Sequence, residues 1–265
     1  MPQIPTIPTP GILVFAGSAR VGAYSGRTAD IAGKTLAVQG AEVTRISLAD
    51  YPLPIMDEDL EREQGIPENA LRLARQIGAH DGVLIVTPEY NGSIPPLLKN
   101  AIDWVSRVRR DGGHAFAPMA GKPVALCSSS AGQFAGIRAI THLRAVLVRC
   151  RMEVVTPECS VPAGAEAFGE DGEFRDERLQ RSMEHVCRTL MEAASLLSRR
   201  GEPRRRCGPL PSARPACPRG AGPAGGGAKG AAPCSFSRWA IRSPSPAGWT
   251  SRASWRPAAR RYSST

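Results

Sequence analysis

Residues 83–104 read VLIVTPEYNGSIPPLLKNAIDW, and this stretch determines how the chain folds. It begins with an uncharged apolar run at 83–87, which is typical of a strand buried on both faces. A loop rich in proline and glycine follows, and residues 97–105 then carry apolar side chains at helical spacing. A buried strand, a loop and a helix in this order indicate one βα unit of a parallel sheet.

The same unit recurs along the first 200 residues. We predict strands at 12–16, 42–48, 83–87, 123–127 and 153–156. We predict helices at 25–39, from Pro67 through Ile77, at 97–105, at 137–148 and at 176–197, with an acidic, proline-bearing loop at 50–63. Strands that are apolar throughout need cover on both faces. The sequence therefore predicts an α/β, flavodoxin-like doubly wound fold, with a five-stranded parallel sheet in the order 2-1-3-4-5 and helices on both faces.

Composition separates a second segment from this domain. The chain has 265 residues, with 34 Lys+Arg and 24 Asp+Glu. Residues 1–200 hold 22 of the basic and 23 of the acidic side chains, whereas residues 201–265 hold 12 basic side chains and one acid. The second segment has 19 Gly or Pro but only three Leu, Ile, Val or Phe, too few for a core. We predict a globular domain at 1–200 and a disordered, basic Arg/Pro/Ala/Gly-rich tail at 201–265.

Two explanations of this tail stay open. A basic segment with interleaved aromatic residues can bind nucleic acid non-specifically, because phosphates attract its charge and bases stack on its rings. The same composition also results from a shifted reading frame in GC-rich DNA. We adopt the second explanation, so nucleic acid is not an expected partner beyond non-specific contact through the tail.

Several classes of protein are excluded. No stretch reaches 18 uncharged apolar residues, and no basic segment precedes an apolar one at the N-terminus, so we expect a cytoplasmic protein that does not span a membrane. The four cysteines of the domain form no CxxC pair, and its four histidines have no HExxH spacing. We therefore predict no metal site, and we expect buried, reduced thiols.

Ligands of doubly wound folds bind beyond the carboxyl ends of the strands, so three loops are candidates. The first, at 17–27, contains Arg20 and Arg27 and no acid, and it leads into a helix. A helix N-terminus with nearby arginines suits a phosphate. The alternative is an ordinary glycine-rich turn in which Ser25 caps the helix.

The second and third loops suit a flat ring. Residues 88–96 combine Tyr90 and Asn91 with a backbone stiffened by proline, although a purely structural rigid turn also explains them. Residues 128–136 supply hydroxyls and glycines from the opposite side. Together the loops predict a phosphorylated mononucleotide with a planar base. The domain offers no plausible set of acid, base and nucleophile, so we predict no catalytic side chain and expect the chemistry to reside on a flavin.

Three motifs resemble the NADPH-dependent FMN reductase family: Gly17-Ser-x-Arg20, the stretch TPEYNxSxPxxLKNAIDW at 87–104, and Ser129-Ser-x-Gly132-x-x-x-Gly136. The similarity covers about residues 11–190. Pro54-x-x-Asp57-x-Asp59 and the HLR run at 142–144 make the chain look most like the bacterial chromate and quinone reductases. The resemblance implies bound FMN, NADPH or NADH as co-substrate, and a homodimer or homotetramer. It also implies ping-pong two-electron transfer to a small acceptor such as a quinone, a flavin, an azo or nitro compound, or chromate.

The resemblance also implies which residues bind FMN. They contact its phosphate, its ribityl chain and the two sides of its ring, and they are Ser18, Arg20, Ser25, Pro88, Glu89, Tyr90, Asn91, Ser129, Ser130 and Gly132. Two positions depart from the family pattern. Ala23 stands where the family has a phosphate-binding serine, so Tyr24 or Arg27 would have to compensate, and Pro96 stands where glycine is frequent.

The main alternative is a flavodoxin-type FMN electron carrier or redox sensor that does not oxidise NAD(P)H efficiently. Flavodoxins resemble one another in a threonine-rich phosphate loop and a markedly acidic surface, whereas residues 1–200 are near neutral and carry Gly17-Ser-x-Arg20. This difference favours the enzyme. A nucleic-acid-binding protein that acts through the tail is a third reading. We interpret His142 as a structural residue of a helix face rather than a proton donor.

Overall fold

The computed structural model describes residues 9–162 and 164–198, so the tail predicted at 201–265 lies outside the described residues. Five parallel strands form one sheet: β1 (Gly11–Ala16), β2 (Glu42–Ile46), β3 (Gly82–Thr87), β4 (Pro123–Ser129) and β5 (Glu153–Val161). Their order in space is β2-β1-β3-β4-β5, with β1 paired to both β2 and β3. This order confirms the predicted flavodoxin-like sheet.

Helices cover both faces of the sheet. They are α1 (Tyr24–Val38), α2 (Glu58–Gln64), α3 (Glu68–Ala79), α4 (Pro96–Arg107), α5 (Ile137–Arg149) and α6 (Glu177–Ser198). Successive side chains of a strand point to opposite faces. Leu13 of β1 therefore packs with α3, α4 and α5, whereas its neighbour Ile12 packs with α1 and α6. Two cores explain why the central strands are apolar at every position.

Three local features differ from the sequence prediction. Residues 58–64 form α2 instead of loop, because Asp57 caps this helix and accepts a hydrogen bond from the Asp59 N–H at 2.8 Å. Helix α2 buries no residue, so it has no apolar periodicity to detect. β5 continues past Pro157, because a register shift between its pairs with Val124 and Leu126 accommodates the proline in an edge strand. A short hairpin, Arg110–Asp111 with His114–Ala115, was not predicted.

Part of the family-like stretch at 87–104 has a structural role. The Asn100 side-chain amide and the Trp104 indole N–H each donate to the carbonyl of Pro54 at 2.8 Å. The Asn100 side-chain oxygen accepts the Met56 N–H at 2.8 Å. Two residues of α4 therefore anchor the loop that contains the Pro54-x-x-Asp57-x-Asp59 motif. Within the described residues, no helix is both long enough and apolar enough to cross a bilayer.

Candidate functional site

The three predicted loops meet at the carboxyl edge of the sheet. The Gly17 N–H donates to the Val86 carbonyl at 2.8 Å, and a Cβ added at Gly17 would lie 3.4 Å from Pro88 Cδ. A Cβ added at Gly136 would lie 3.7 Å from Glu89 Cβ. The first loop thus adjoins the second, and the second adjoins the third. The loops that carry the predicted FMN residues therefore adjoin one another at this edge.

The first loop ends in a helix start that has no side-chain cap. Ala23 occupies the N-cap position, and Ser25 is already inside the helix, so the reading of Ser25 as the cap is wrong. The first turn contains no acidic residue. The leading N–H groups of a helix lack intrahelical acceptors, and Arg20 is exposed beside them. This helix start suits an anion.

Buried hydroxyls at this edge lack partners. Ser25 is 1% and Ser129 2% exposed, and Thr28 is fully buried. The hydroxyl oxygens of all three have no hydrogen-bond partner within the described part of the chain. A buried hydroxyl without a partner is costly. Two of the three belong to the predicted FMN set, and a ribityl phosphate, rich in oxygens, is the kind of group that would satisfy them. The residues present therefore fit FMN.

The second loop contains a tight turn at Tyr90–Ser93. The N–H groups of Tyr90 and Ser93 each donate to the other residue's carbonyl at 3.0 Å. Asn91 and Gly92, between them, have φ angles of 50° and 76°. Positive φ at both central positions is typical of a type I′ turn, for which Asn-Gly is the preferred pair. The turn leaves Tyr90 and Asn91 exposed at the edge of the site.

Glu89 uses its side chain to hold the site together. Its carboxylate is only 7% exposed, and it accepts hydrogen bonds from Arg138 Nε at 2.9 Å, Nη2 at 2.5 Å and the backbone N–H at 3.2 Å. Arg138 lies in the first turn of α5. The sequence analysis did not predict this contact; the available signal is an arginine two residues after Gly136, at a helix start. The Glu89 carboxylate is therefore mainly engaged by Arg138.

The third loop has a neighbour that the sequence did not predict. The Ser130 carbonyl accepts the Gly164 N–H at 3.1 Å, and the Ser130 hydroxyl accepts the Gly132 N–H at 3.3 Å. A Cβ added at Gly164 would lie 2.6 Å from the Tyr24 ring. Tyr24 in turn stacks on Phe168 at 6.5 Å between ring centroids. The segment after β5 therefore closes the side of the site next to α1.

The residues expected to compensate for Ala23 are engaged in the same aromatic cluster. The Arg27 guanidinium lies 4.2 Å from the centroid of the Phe168 ring, and the Arg20 guanidinium lies 6.0 Å from that of Tyr24. Such cation–π contacts stabilise a guanidinium over an aromatic face. Arg20 and Arg27 thus place positive charge near the start of α1 without a carboxylate between them.

His142 contacts the second loop rather than a reacting group. Its Nδ1 lies 2.9 Å from the Ser93 hydroxyl, which ends the turn of that loop. This contact supports the structural interpretation of His142. Three thiols of the described residues are also unsuited to a catalytic role, because Cys127, Cys159 and Cys187 are buried and unpaired. Burial raises the pKa of Cys159 to about 11 and that of Cys187 to about 12, so both stay neutral and weakly nucleophilic near pH 7.

Residues 10–166 match the family model described as NADPH-dependent FMN reductase. The chain belongs to the NADPH-dependent FMN reductase family. Members of this family use FMN with NAD(P)H as co-substrate, so the protein is an NAD(P)H-dependent FMN oxidoreductase. Family membership favours the enzyme over the electron carrier that the sequence left as an alternative.

Three similar proteins illustrate this FMN reductase family. A quinone reductase of Escherichia coli K12 is 44% identical over 138 residues, which cover 52% of this chain and 69% of the relative. An NAD(P)H-dependent FMN reductase of Pseudomonas aeruginosa is 34% identical over 181 residues, or 68% of this chain and 92% of the relative. The structure of FerB, a flavoenzyme NAD(P)H:(acceptor) oxidoreductase from Paracoccus denitrificans, superimposes with a TM-score of 0.60 at 28% identity, covering 71% of this chain and 98% of FerB.

Proposed function

We propose that this FMN reductase passes electrons from NAD(P)H to quinones and other small planar acceptors. The observation that supports the cofactor site is a pair of buried hydroxyls, those of Ser25 in α1 and Ser129 in β4, which have no hydrogen-bond partner among the residues that the structure describes. The name of the Escherichia coli relative, quinone reductase, supports the class of acceptor. A flavin and an azo or nitro compound are further proposed acceptors of this planar type, and chromate is a proposed acceptor that is a small oxyanion.

We assign the phosphate of FMN to the first loop. Ser18, Arg20 and Ser25 surround the start of α1, whose leading N–H groups add favourable partial charge. Ser18 Oγ accepts the Arg20 N–H at 3.2 Å, and its own proton remains available to an acceptor. These groups would hold the phosphate by charge-assisted hydrogen bonds.

We assign the ring and the ribityl chain to the other two loops. The contributing groups are the backbone of Pro88 and Glu89, the exposed turn residues Tyr90 and Asn91, and the wall formed by Ser129, Ser130 and Gly132. When bound, FMN supplies reversible two-electron chemistry between the nicotinamide and the acceptor. The protein contributes position and fixed dipoles, because backbone amides in a rigid loop stabilise charge that develops nearby without having to reorganise.

We further propose a homodimer or homotetramer, a location in the cytoplasm and a reductase domain at residues 1–200. Exposed apolar residues near the site, Phe134 at 69% and Ile137 at 49%, support association between copies. The four cysteines that the structure describes are all unpaired, which supports a reducing compartment. The change in composition after residue 200 supports the domain boundary. The tail at 201–265 remains a proposed out-of-frame extension.

The test of the cofactor site uses purified protein reconstituted with FMN. We expect a yellow holoprotein whose flavin absorbance bleaches on anaerobic addition of NADPH and recovers on addition of a quinone; the same assay with NADH compares the two donors. Colour without bleaching would favour an electron carrier, and failure to bind FMN would refute the proposal.

Two serine variants separate FMN binding from folding. Ser25→Ala and Ser129→Ala should each weaken FMN binding about tenfold, because each removes one hydrogen bond worth about 1.4 kcal/mol to the cofactor. Neither should destabilise the FMN-free protein, because the hydroxyl removed had no partner among the described residues. Ser106→Ala, an exposed site at the far end of α4, is the matched control and should leave FMN affinity unchanged. Unchanged affinity in both test variants would contradict the assignment.

A further inference from the structure

The third loop contains a backbone conformation that its sequence does not favour. Ala135 and Gly136 are consecutive residues with φ angles of 54° and 83°. Glycine is required at 136, because a Cβ there would lie 2.9 Å from Ser128 Cβ. Ala135 carries a side chain in the left-handed region, where an L-residue is strained. Strain of this kind persists only where the surroundings enforce it, and it is concentrated at ligand-binding sites.

The side chain of Ser128 enforces this strained conformation of Ala135. The Ser128 hydroxyl is fully buried, lies 2.6 Å from the Ala135 carbonyl oxygen and lies 3.1 Å from the Ser160 hydroxyl. A hydroxyl has one proton. Since the Ala135 carbonyl can only accept, Ser128 donates to it and accepts from Ser160. Ser128 was not among the predicted site residues, and neither it nor Ser160 is in the set that we assign to FMN.

The bond from Ser128 acts near the end of the loop, at Ala135, just before α5 begins. The start of the loop is held by the Ser130 N–H, which donates to the Val161 carbonyl at 3.1 Å. Its end is held by Glu89, which accepts the Arg138 N–H at 3.2 Å. Between these points residues 131–134 are exposed. One hydrogen bond and the strain of one non-glycine residue are similar in size, so the strained and relaxed conformations of the loop are close in free energy.

We propose that Ser128 is a positioning residue for the cofactor: its hydroxyl holds the third loop in the strained conformation that presents Ser130 and Gly132 to FMN beside Ser129, which the sheet holds in place. Cofactor binding then favours the strained conformation, because that arrangement offers both loop groups together with Ser129. Loss of the Ser128 bond lets the loop relax. The apparent FMN affinity then falls in proportion to the fraction of molecules that still hold the binding conformation. This inference rests on the proposed FMN site.

The experiment compares Ser128→Ala, Ala135→Gly and the double variant with the wild type. FMN dissociation constants come from quenching of flavin fluorescence, and hydrogen exchange of residues 131–136 reports the loop in FMN-free protein. We expect Ser128→Ala to weaken FMN binding about tenfold and to speed exchange in the loop. Ala135→Gly alone should bind FMN within about threefold of wild type. The double variant should regain most of the lost affinity, because glycine adopts the left-handed conformation without strain.

Rescue is the result that a merely structural serine would not produce. If Ser128→Ala lowers the melting temperature but leaves FMN affinity unchanged, or if the double variant binds FMN as weakly as Ser128→Ala, the inference is overturned. Ser128→Cys, which keeps a similar volume with a weaker donor, replaces Ser128→Ala if that variant does not fold. A wild type that fails to bind FMN overturns the proposed function together with this inference, whereas a wild type that binds while the variants do not differ from it overturns this inference alone.

Discussion

Replacing Glu89 tests how the second loop is attached to α5. Glu89→Ala removes the acceptor of the Arg138 N–H at the start of a helix, which costs about 1 kcal/mol by analogy with the loss of an N-cap. It also removes an ion pair. Because the Arg138 side chain is 56% exposed, water screens that pair, and its loss adds at most about 1 kcal/mol. We expect a destabilisation of about 2 kcal/mol.

Thermal unfolding of FMN-free protein measures this loss. For a domain of this size, about 2 kcal/mol corresponds to a fall in melting temperature of about 4–8 °C. Glu89→Gln keeps an amide oxygen for the Arg138 N–H and should lose about half as much. The control is Asp103→Ala, which breaks the Lys99–Asp103 pair within α4 and should cost no more than about 0.5 kcal/mol. Equal losses from Glu89→Ala and Asp103→Ala would refute this reasoning.

The same variants reveal whether the Glu89 carboxylate contacts the cofactor. Its oxygens are occupied by Arg138, so Glu89→Gln should keep FMN affinity within about threefold of wild type. A large loss of FMN affinity with unchanged stability would instead place the carboxylate against FMN, and the structural role of Glu89 would be wrong.

Three further predictions concern other positions. Ala23→Ser supplies an N-cap to α1 and should stabilise FMN-free protein by about 1 kcal/mol in thermal unfolding, and it should tighten FMN binding severalfold in a fluorescence titration. Arg151 has a φ of 66° at the end of α5, where glycine is preferred, so Arg151→Gly should raise the melting temperature by about 2–4 °C, with Arg149→Gly as a destabilising control. Hydrogen bonds from Arg75 lower the pKa of Asp111 below its ordinary value of 3.8, so Asp111 stabilises the protein above that pH and ceases to do so as the pH falls through the lowered value. Asp111→Asn should therefore have a lower melting temperature than wild type at pH 7, and the two melting temperatures should converge at acidic pH. A difference in melting temperature that does not depend on pH would count against the Arg75 contact.

The sequence indicated features of the site correctly at positions where a residue type has a single common structural role. Asn91-Gly92 belongs to a tight turn, and the absence of acid before α1 indicates an anion. It was uninformative where a side chain has several uses. Glu89 looked like a ligand contact, and only its 2.9 Å bond from Arg138 Nε shows that its carboxylate serves α5. Ser25 was considered as a helix cap, and the structure places it two residues beyond the N-cap position, which Ala23 occupies.

Apolar periodicity by itself predicted the five strands, because burial on two faces makes each strand segment apolar throughout. The strand order and the edge at which the loops meet followed from the doubly wound class that this alternation of strands and helices indicates. Contacts between distant segments were decided only by tertiary structure. Glu89 and Arg138 are 49 residues apart, and the hydroxyls of Ser25 and Ser129 are buried by neighbours that no local pattern identifies. A local pattern specifies which face of an element is buried, whereas the partner of a polar group depends on distances that exist only after the elements pack.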